Sequence, residues 1–210
     1  MIMNRNTSIG LFLIIVGIVL TTLVLHFRNE DEQAGFTKEE LEILDEADSI
    51  MRVLSIESER DLSVLRAQSI DFSSEALLSD EFAHLSELMV ATVTHPSQDG
   101  VGIAGPQIGL NRRIVAVQRF DKEGEPFEVY PNVSIVWKSD SLAYGPEGCL
   151  SVPDRRGNVL RSQEIVIEYA SLDVARHAVE TVRDTVSGFT AVIFQHEVDH
   201  LDGILYIDRL

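Results

Sequence analysis

The sequence predicts an α+β fold, in which antiparallel or mixed β-sheets surround a late metal-binding helix, preceded by one N-terminal transmembrane helix. Three observations support this prediction: an uncharged apolar run near the start, several strand-like segments in the middle, and one late helix with two histidines. Strands that precede a single helix favour antiparallel pairing over parallel βαβ units. We divide the chain into residues 1–28 (tail and anchor), 29–59 (acidic spacer) and 60–210 (domain).

The first element is a run of 20 residues without a charge, from Asn6 to Leu25. As a helix it is about 30 Å long, which is enough to cross the hydrocarbon core of a bilayer. A cleaved signal peptide is the alternative, but the run is longer than the usual signal core and no small-residue cleavage site follows it. We therefore expect a single-pass membrane protein. The flanking basic residues give almost no orientation bias, and the short tail favours an inside N-terminus with the domain outside.

The rest of the chain is strongly acidic. The protein has 17 lysines and arginines against 34 aspartates and glutamates, a net charge of −17. This charge argues against nucleic-acid binding, which needs a basic footprint. Residues 1–28 contain two basic and no acidic residues, so the rest of the chain is even more acidic than the whole. Anionic lipid should repel this acidic part, and the apolar helix must therefore hold the protein at the membrane. The single cysteine excludes an intramolecular disulfide framework.

The spacer and the domain show a mixed pattern of periodicities. Apolar residues at near-helical spacing predict a spacer helix within Thr37–Val53. In the domain, the patterns predict an amphipathic helix, four strands, a hairpin turn and a late helix with Gly203 after its end. These are, in chain order, Asp80–Thr94 (helix), Ile114–Phe120 (strand), Asp121–Pro126 (turn), Phe127–Tyr130, Ile165–Tyr169 and Ala178–Val186 (strands), and Phe189–Leu201 (helix).

The late helix carries the strongest chemical signal, the motif HEVDH at residues 196–200. The i, i+4 spacing places His196 and His200 on one face, so both imidazoles can reach one metal ion. Glu197 lies beside the first ligand and can act on a metal-bound water without being a ligand itself.

A catalytic tetrahedral site needs a third protein ligand. Asp199 and Asp202 are near, but Asp199 projects about 100° away from His200 around the helix. Cys149 is the better candidate, because Gly145, Gly148 and Pro153 surround it in an open segment. A buried structural thiol remains the alternative for a lone cysteine.

A third motif is GVGIAGPQ at residues 100–107. Its glycines permit close approach of another backbone, and Gln107 is a neutral amide that could donate to a developing oxyanion. The G-x-G-x-x-G spacing within Gly100–Gly105 has no preceding strand and no acidic ribose partner, so it does not indicate dinucleotide binding.

These motifs, in the order GVGIAGPQ, EGCLS (residues 147–151) and HEVDH, resemble those of the peptide deformylase family. The resemblance covers roughly residues 60–210, with Gly105 where the family has alanine. It implies one divalent metal, most often Fe(II) with Zn(II), Ni(II) or Co(II) as alternatives, held by Cys149, His196 and His200. It also implies that a metal-bound water attacks, that Glu197 is general base and then acid, and that Gln107 and the Leu150 N–H stabilise the oxyanion.

The resemblance further implies N-formylmethionyl peptides or nascent chains as substrates, with formate and a free amino terminus as products. Gly102, Ile103, Glu147 and Gly148 are candidate substrate contacts, since an extended peptide could add to these segments as a strand. A metallo-amidase or peptidase of other specificity is the enzymatic alternative. A membrane-tethered formyl-peptide binder without turnover is the non-enzymatic one, although every ligand and the general base are present.

Overall fold

The computed structural model describes residues 35–210, and Phe36–Leu210 form one compact unit. The predicted membrane helix over Asn6–Leu25 lies outside the described residues. Among the helices of residues 35–210, none is both long enough and apolar enough to cross a bilayer.

The described chain forms five α-helices, eight strands and two short 3₁₀ turns. The helices are α1 (Lys38–Asp45), α2 (Glu59–Leu65), α3 (Ser74–Leu77), α4 (Asp80–Thr94) and α5 (Gly188–Leu201). The strands are β1 (Gly102–Ala104), β2 (Ile114–Gln118), β3 (Phe127–Pro131), β4 (Ser134–Lys138), β5 (Leu142–Cys149), β6 (Val152–Ser162), β7 (Glu164–Asp173) and β8 (Ala178–Ser187). The 3₁₀ turns are Gly105–Ile108 and Tyr206–Arg209.

The strands form three sheets, ordered β1-β2-β3, β4-β7-β8 and β5-β6, and all strand pairs are antiparallel. The predicted α+β class, with antiparallel sheets and a late helix, is therefore confirmed. The turn at Asp121–Pro126 joins β2 to β3 as expected.

Strand β2 explains how the sheets and helices share one core. Its sequence IVAVQ is apolar at four successive positions, which is typical of a strand covered on both faces. Val115 and Val117 pack with α5, whereas Ile114 and Ala116 pack with α4 on the other side. The β1-β2-β3 sheet is thus sandwiched, which places β1 directly against α5.

Several elements differ from the predictions in length. The helix over Asp80–Thr94 matches, with Ser79 as its N-cap. Strand β7 extends to Asp173 because it forms a long hairpin with β8. Strands β1, β4, β5 and β6 were not predicted, since β6 contains the polar stretch PDRRGN and gives no clean alternation.

The spacer prediction needs a correction, because residues from Phe36 to Glu59 pack on the domain. Helix α1 ends at Asp45, earlier than the predicted Val53, and Leu44 and Met51 are buried in the same core as α4. The fully buried Arg112 also donates to both oxygens of Glu40, at 2.6 and 2.8 Å. We therefore place residues from Phe36 onward with the domain.

Candidate active site

Helix α5 fixes the spacing of the two histidines. It is buried almost throughout from Thr190 to Leu201, because apolar side chains on its length contact two sheets. His196 and His200 lie one turn apart, with ring centroids 5.0 Å from each other and planes at 74°. The predicted i, i+4 geometry is present on a largely buried helix.

The β5-β6 hairpin brings the cysteine to this pair. A register shift between Glu147 and Cys149 turns the Cys149 thiol toward the helix, and its Sγ lies 3.2 Å from His200 Nε2. One ligand atom from each of Cys149, His196 and His200 lies within 4.8 Å of the others. One sulfur and two imidazole nitrogens suit a divalent transition metal with an open coordination position.

The two nearby aspartates have other partners. Asp199 is buried and accepts hydrogen bonds from Arg161 and Arg209, while Asp202 accepts from Arg113 at 2.7 Å. Neither belongs to the candidate metal group of the described chain. The third ligand indicated by the geometry is therefore Cys149.

The protein also sets which histidine nitrogens face the metal position. His196 Nδ1 lies 2.8 Å from a carboxylate oxygen of Glu147, so Nδ1 donates its proton there and leaves Nε2 toward Cys149. His200 Nδ1 is buried without a hydrogen-bond partner among residues 35–210. The donor set and the ring orientation fit a bound metal ion.

The pKa values of the two histidines shift in opposite directions in the metal-free protein. Burial favours the neutral form of His196, but hydrogen bonds to Cys149 and Glu147 raise its pKa to about 10 in the metal-free protein. Burial lowers the pKa of His200 well below its usual value, so this imidazole is neutral, as a metal ligand must be.

Glu197 has a different environment from the other carboxylates. It is 4% exposed, and its Oε2 has no hydrogen-bond partner among the described residues. Burial raises the pKa of Glu197 to about 7, which suits a group that takes up and releases a proton near neutral pH. A Cβ at Gly102 would lie 2.5 Å from Glu197 Oε1, so only glycine leaves this carboxylate room.

Gln107 is held with its amide nitrogen toward the ligands. The N–H of Ala104 donates to Gln107 Oε1 at 2.9 Å, which fixes the amide. Its Nε2 is then 3.3 Å from Ser151 Oγ and 3.5 Å from Cys149 Sγ. A buried donor thus points at the edge of the metal position.

A cavity of about 760 Å³ opens beside these groups. Of the predicted residues, it is lined by Gly102, Gln107, Glu147, Gly148, Cys149, Leu150, His196 and Glu197. Ile103 does not line it, because its side chain is fully buried in the core. The carboxylate of Glu147 binds Arg161 and His196, so a substrate contact at Glu147 or Ile103 would use the main chain.

Two arginines of the site were not predicted. Arg161 binds Glu147 and Asp199, and Arg209 binds Asp199. An arginine in a polar strand or near a chain end is usually solvated, and these partners lie 10 to 38 residues away. No local pattern in the sequence marks them.

Comparison with known proteins gives consistent matches. A family model described as Polypeptide deformylase matches residues 50–210. A peptide deformylase of Leptospira biflexa is 35% identical over 155 residues, covering 70% of this chain and 82% of that protein. Peptide deformylase 2 of Gloeobacter violaceus is 38% identical over 149 residues, covering 70% and 74%.

The fold gives a similar match among solved structures. The Met-Ala-Ser-bound class I type b peptide deformylase of Acinetobacter baumannii superposes with a TM-score of 0.65 at 32% identity. The superposition covers 77% of this chain and 98% of that one. The similarity therefore includes the whole of the related domain.

Proposed function

Since this chain belongs to the peptide deformylase family, we propose that Cys149, His196 and His200 hold its divalent metal ion and that Glu197 transfers the proton during removal of the formyl group. The enzyme acts on N-formylated nascent peptides, and we propose N-formylmethionyl ends as substrate and formate as product. One observation carries this assignment: three ligand atoms lie within 4.8 Å of one another, next to the buried carboxylate of Glu197, whose Oε2 has no hydrogen-bond partner in the described part of the chain.

When bound, the ion lowers the pKa of a coordinated water and polarises the formyl oxygen. We propose Fe(II) as the native ion, with Zn(II), Ni(II) and Co(II) as alternatives. The mixed thiolate and imidazole set supports all four of these ions, because it combines a soft and two borderline ligands. Glu147 supports the site by fixing the His196 ring through its Nδ1.

Glu197 supplies the proton transfer. Its carboxylate lines the cavity, where it can accept a proton from the attacking water. The same group can then donate that proton to the amine as the carbon–nitrogen bond of the formyl amide breaks. In the metal-free protein, burial raises the pKa of Glu197 to about 7, within the range of a group that exchanges a proton near neutral pH.

Gln107 and Leu150 provide the oxyanion donors in this proposal. The anchored Nε2 of Gln107 points at the ligand cluster, and Leu150 follows Cys149 at the cavity wall. Donors that are already oriented stabilise the charge that develops on the formyl oxygen more than mobile ones do.

The peptide has a place beside β1. This strand is at the edge of its sheet, and Gly102 at its start lines the same cavity as Glu147 and Gly148. An extended peptide could add there as a strand, with its formyl end toward Glu197. The Met-Ala-Ser ligand of the related Acinetobacter baumannii enzyme supports a peptide as the occupant.

We propose that the apolar run of residues 6–25 anchors the enzyme in a membrane, with the domain on the outer side. Its length and lack of charge support a membrane span, and the short tail before it favours the outer side for the domain. A tether would raise the local concentration of peptides near the bilayer without changing the chemistry of the site.

Metal analysis of single variants tests the ligand set. We expect one divalent ion per chain in the wild type and a large loss of metal in Cys149→Ala, His196→Ala and His200→Ala. Asp202→Asn, which removes a neighbouring carboxylate that binds Arg113, is the control and should keep the ion. Full occupancy in Cys149→Ala would overturn the ligand assignment.

A further inference from the structure

A row of buried charges of alternating sign leads away from His196. Glu147 binds His196 Nδ1, Arg161 binds Glu147 through two bonds of 2.8 and 3.0 Å, and Arg161 Nη1 reaches Asp199 at 2.6 Å. The Glu147, Arg161 and Asp199 side chains are each less than a tenth exposed. The proposed mechanism uses Glu147 but assigns nothing to the outer members of this row.

Arg209 forms the outer end. Its Nε and Nη2 bind the two oxygens of Asp199 at 2.5 and 2.6 Å, and its side chain is 36% exposed. Asp199 Oδ2 is shared, since it accepts from both Arg161 Nη1 and Arg209 Nε. Two carboxylates, of Glu147 and Asp199, therefore face two guanidinium groups, of Arg161 and Arg209, and the charges of the row balance.

Without Arg209 this balance fails. Asp199 Oδ1 would lose the one donor that it has among residues 35–210, and a single guanidinium, that of Arg161, would serve two buried carboxylates. An uncompensated buried carboxylate is costly, so Arg161 would move toward Asp199 and weaken its paired bonds to Glu147. Glu147 would then hold the His196 ring less well.

The turn that carries Arg209 is independently anchored. Asp208 in the same 3₁₀ turn pairs with Arg66, and its Oδ2 also accepts from the N–H of Leu205 at 2.8 Å. Tyr206 of this turn is buried against the β5-β6 hairpin. A change at Asp208 therefore perturbs the same turn without removing a partner of Asp199. Comparing it with a change at Arg209 distinguishes the effect of loosening the turn from the effect of removing a charge from the row.

We propose that Arg209 is a positioning residue that orients the metal ligand His196 through Asp199, Arg161 and Glu147. This inference rests on the proposed ligand role of His196. It links the turn Tyr206–Arg209 to the geometry of the metal site, although Arg209 is not a candidate ligand and does not line the cavity.

Co(II) binding to the full-length protein tests the proposal. Affinity is measured by competition with a chelator, and the visible absorption of bound Co(II) reports the ligand geometry. We expect Arg209→Ala to weaken Co(II) affinity about 10- to 100-fold and to shift the absorption bands, as loss of ligand-orienting groups does. The KM for a formylated peptide, at saturating Co(II), should stay unchanged.

Three further variants make the result specific. Arg209→Lys should recover part of the affinity, because an ammonium can pair with Asp199 at one oxygen. Asp208→Asn should lower the melting temperature but keep Co(II) affinity within about twofold of wild type. In an Asp199→Asn background, Arg209→Ala should weaken Co(II) affinity by less than about a further twofold, since the effects of coupled residues are not additive.

Two results would overturn this inference while leaving the ligand set intact. One is wild-type Co(II) affinity and spectrum in Arg209→Ala, and the other is an equal loss in Asp208→Asn. Failure of the proposed function is distinguishable, because the wild type itself would then fail to bind Co(II), or Cys149→Ala would bind it normally.

Discussion

At the scale of residues, the site contains two carboxylates whose environments push their pKa values apart. Glu147 lies between Arg161 and His196, and these partners outweigh burial and lower its pKa to about 2. Glu197 has no hydrogen-bond partner among residues 35–210, and burial raises its pKa to about 7. Such separation assigns roles: Glu147 stays ionised and orients a histidine, whereas Glu197 can exchange a proton.

The low pKa of Glu147 predicts a pH-dependent stability. Because its folded-state pKa lies below the usual 4.5, the ionised carboxylate stabilises the metal-free protein above about pH 4.5, and this contribution is lost as the pH falls toward 2. We expect the difference in unfolding free energy between wild type and Glu147→Gln to be at most about 3 kcal/mol at pH 6, and smaller by roughly two fifths at pH 3.5. Urea unfolding after chelator treatment measures it, and a pH-independent difference would contradict the assignment.

The anchored amide of Gln107 predicts a kinetic effect. Gln107→Ala should lower kcat on a formylated peptide by about 10²–10³-fold, as removal of one oxyanion donor does, without loss of metal. Ser151→Ala is a matched control, because Ser151 also lies beside Gln107 Nε2 but has no proposed role at the oxyanion. Steady-state kinetics and metal analysis of both variants test this prediction. Equal losses of kcat in the two variants would argue against a donor role for Gln107.

The sequence alone predicts the residues whose relation is local. His196, Glu197 and His200 share one turn of helix, so their relation follows from helix geometry. Arg161 pairs with groups 14 and 38 positions away, and that proximity exists only once the hairpin packs on α5. The buried charge row was therefore beyond prediction.

At the scale of elements, the approach of β1 to α5 determines the room around Glu197. A Cβ at Gly102 would lie 2.5 Å from Glu197 Oε1 and 2.8 Å from Ile193 Cγ2. Gly102→Ala should therefore displace the carboxylate and lower kcat at least about tenfold while metal is retained, since small shifts of a reacting group cost rate.

Gly145 in β5 offers a control for this substitution. A Cβ there meets nothing within 4 Å, so Gly145→Ala should leave turnover near that of the wild type. Kinetics and metal content of the two variants are compared directly. Normal turnover in Gly102→Ala would show that the close approach does not constrain Glu197.

Elements whose apolar residues recur at helical or strand spacing were predictable from the sequence. Elements that form only because they pair with a distant segment were not. The helix over Asp80–Thr94 has apolar residues at helical spacing, and β2 is a short apolar run. Strand β6 carries Asp154, Arg155 and Arg156 on exposed backbone, and its strand character comes from pairing with β5. The burial of residues from Phe36 to Glu59 likewise depends on tertiary partners such as Arg112.

At the scale of the whole molecule, the compact unit from Phe36 to Leu210 predicts where the chain can be shortened. A protein that begins at Asn29 should stay in the aqueous fraction and keep near-equal kcat/KM on a soluble formylated peptide, while the full chain should need detergent. A protein that begins at Arg60 should be less stable. It lacks Leu44 and Met51, which are buried in the core, and its buried Arg112 no longer has Glu40 as an ion-pair partner. Phase partition, thermal unfolding and kinetics check this, and an inactive protein from Asn29 would place the preceding residues in the catalytic unit.

Formate release most directly tests the central claim that the metal site removes a formyl group with Glu197 as proton carrier. Metal-loaded wild type is compared with Glu197→Gln on formyl-Met-Ala-Ser and acetyl-Met-Ala-Ser. We expect the wild type to release equal amounts of formate and free amine from the formyl peptide and to hydrolyse little of the acetyl peptide. Glu197→Gln should lose most turnover, because an amide cannot carry the proton. This variant should keep its metal, because Glu197 is not among the three candidate ligands. Normal formate release by Glu197→Gln, or equal hydrolysis of both peptides by the wild type, would contradict this account.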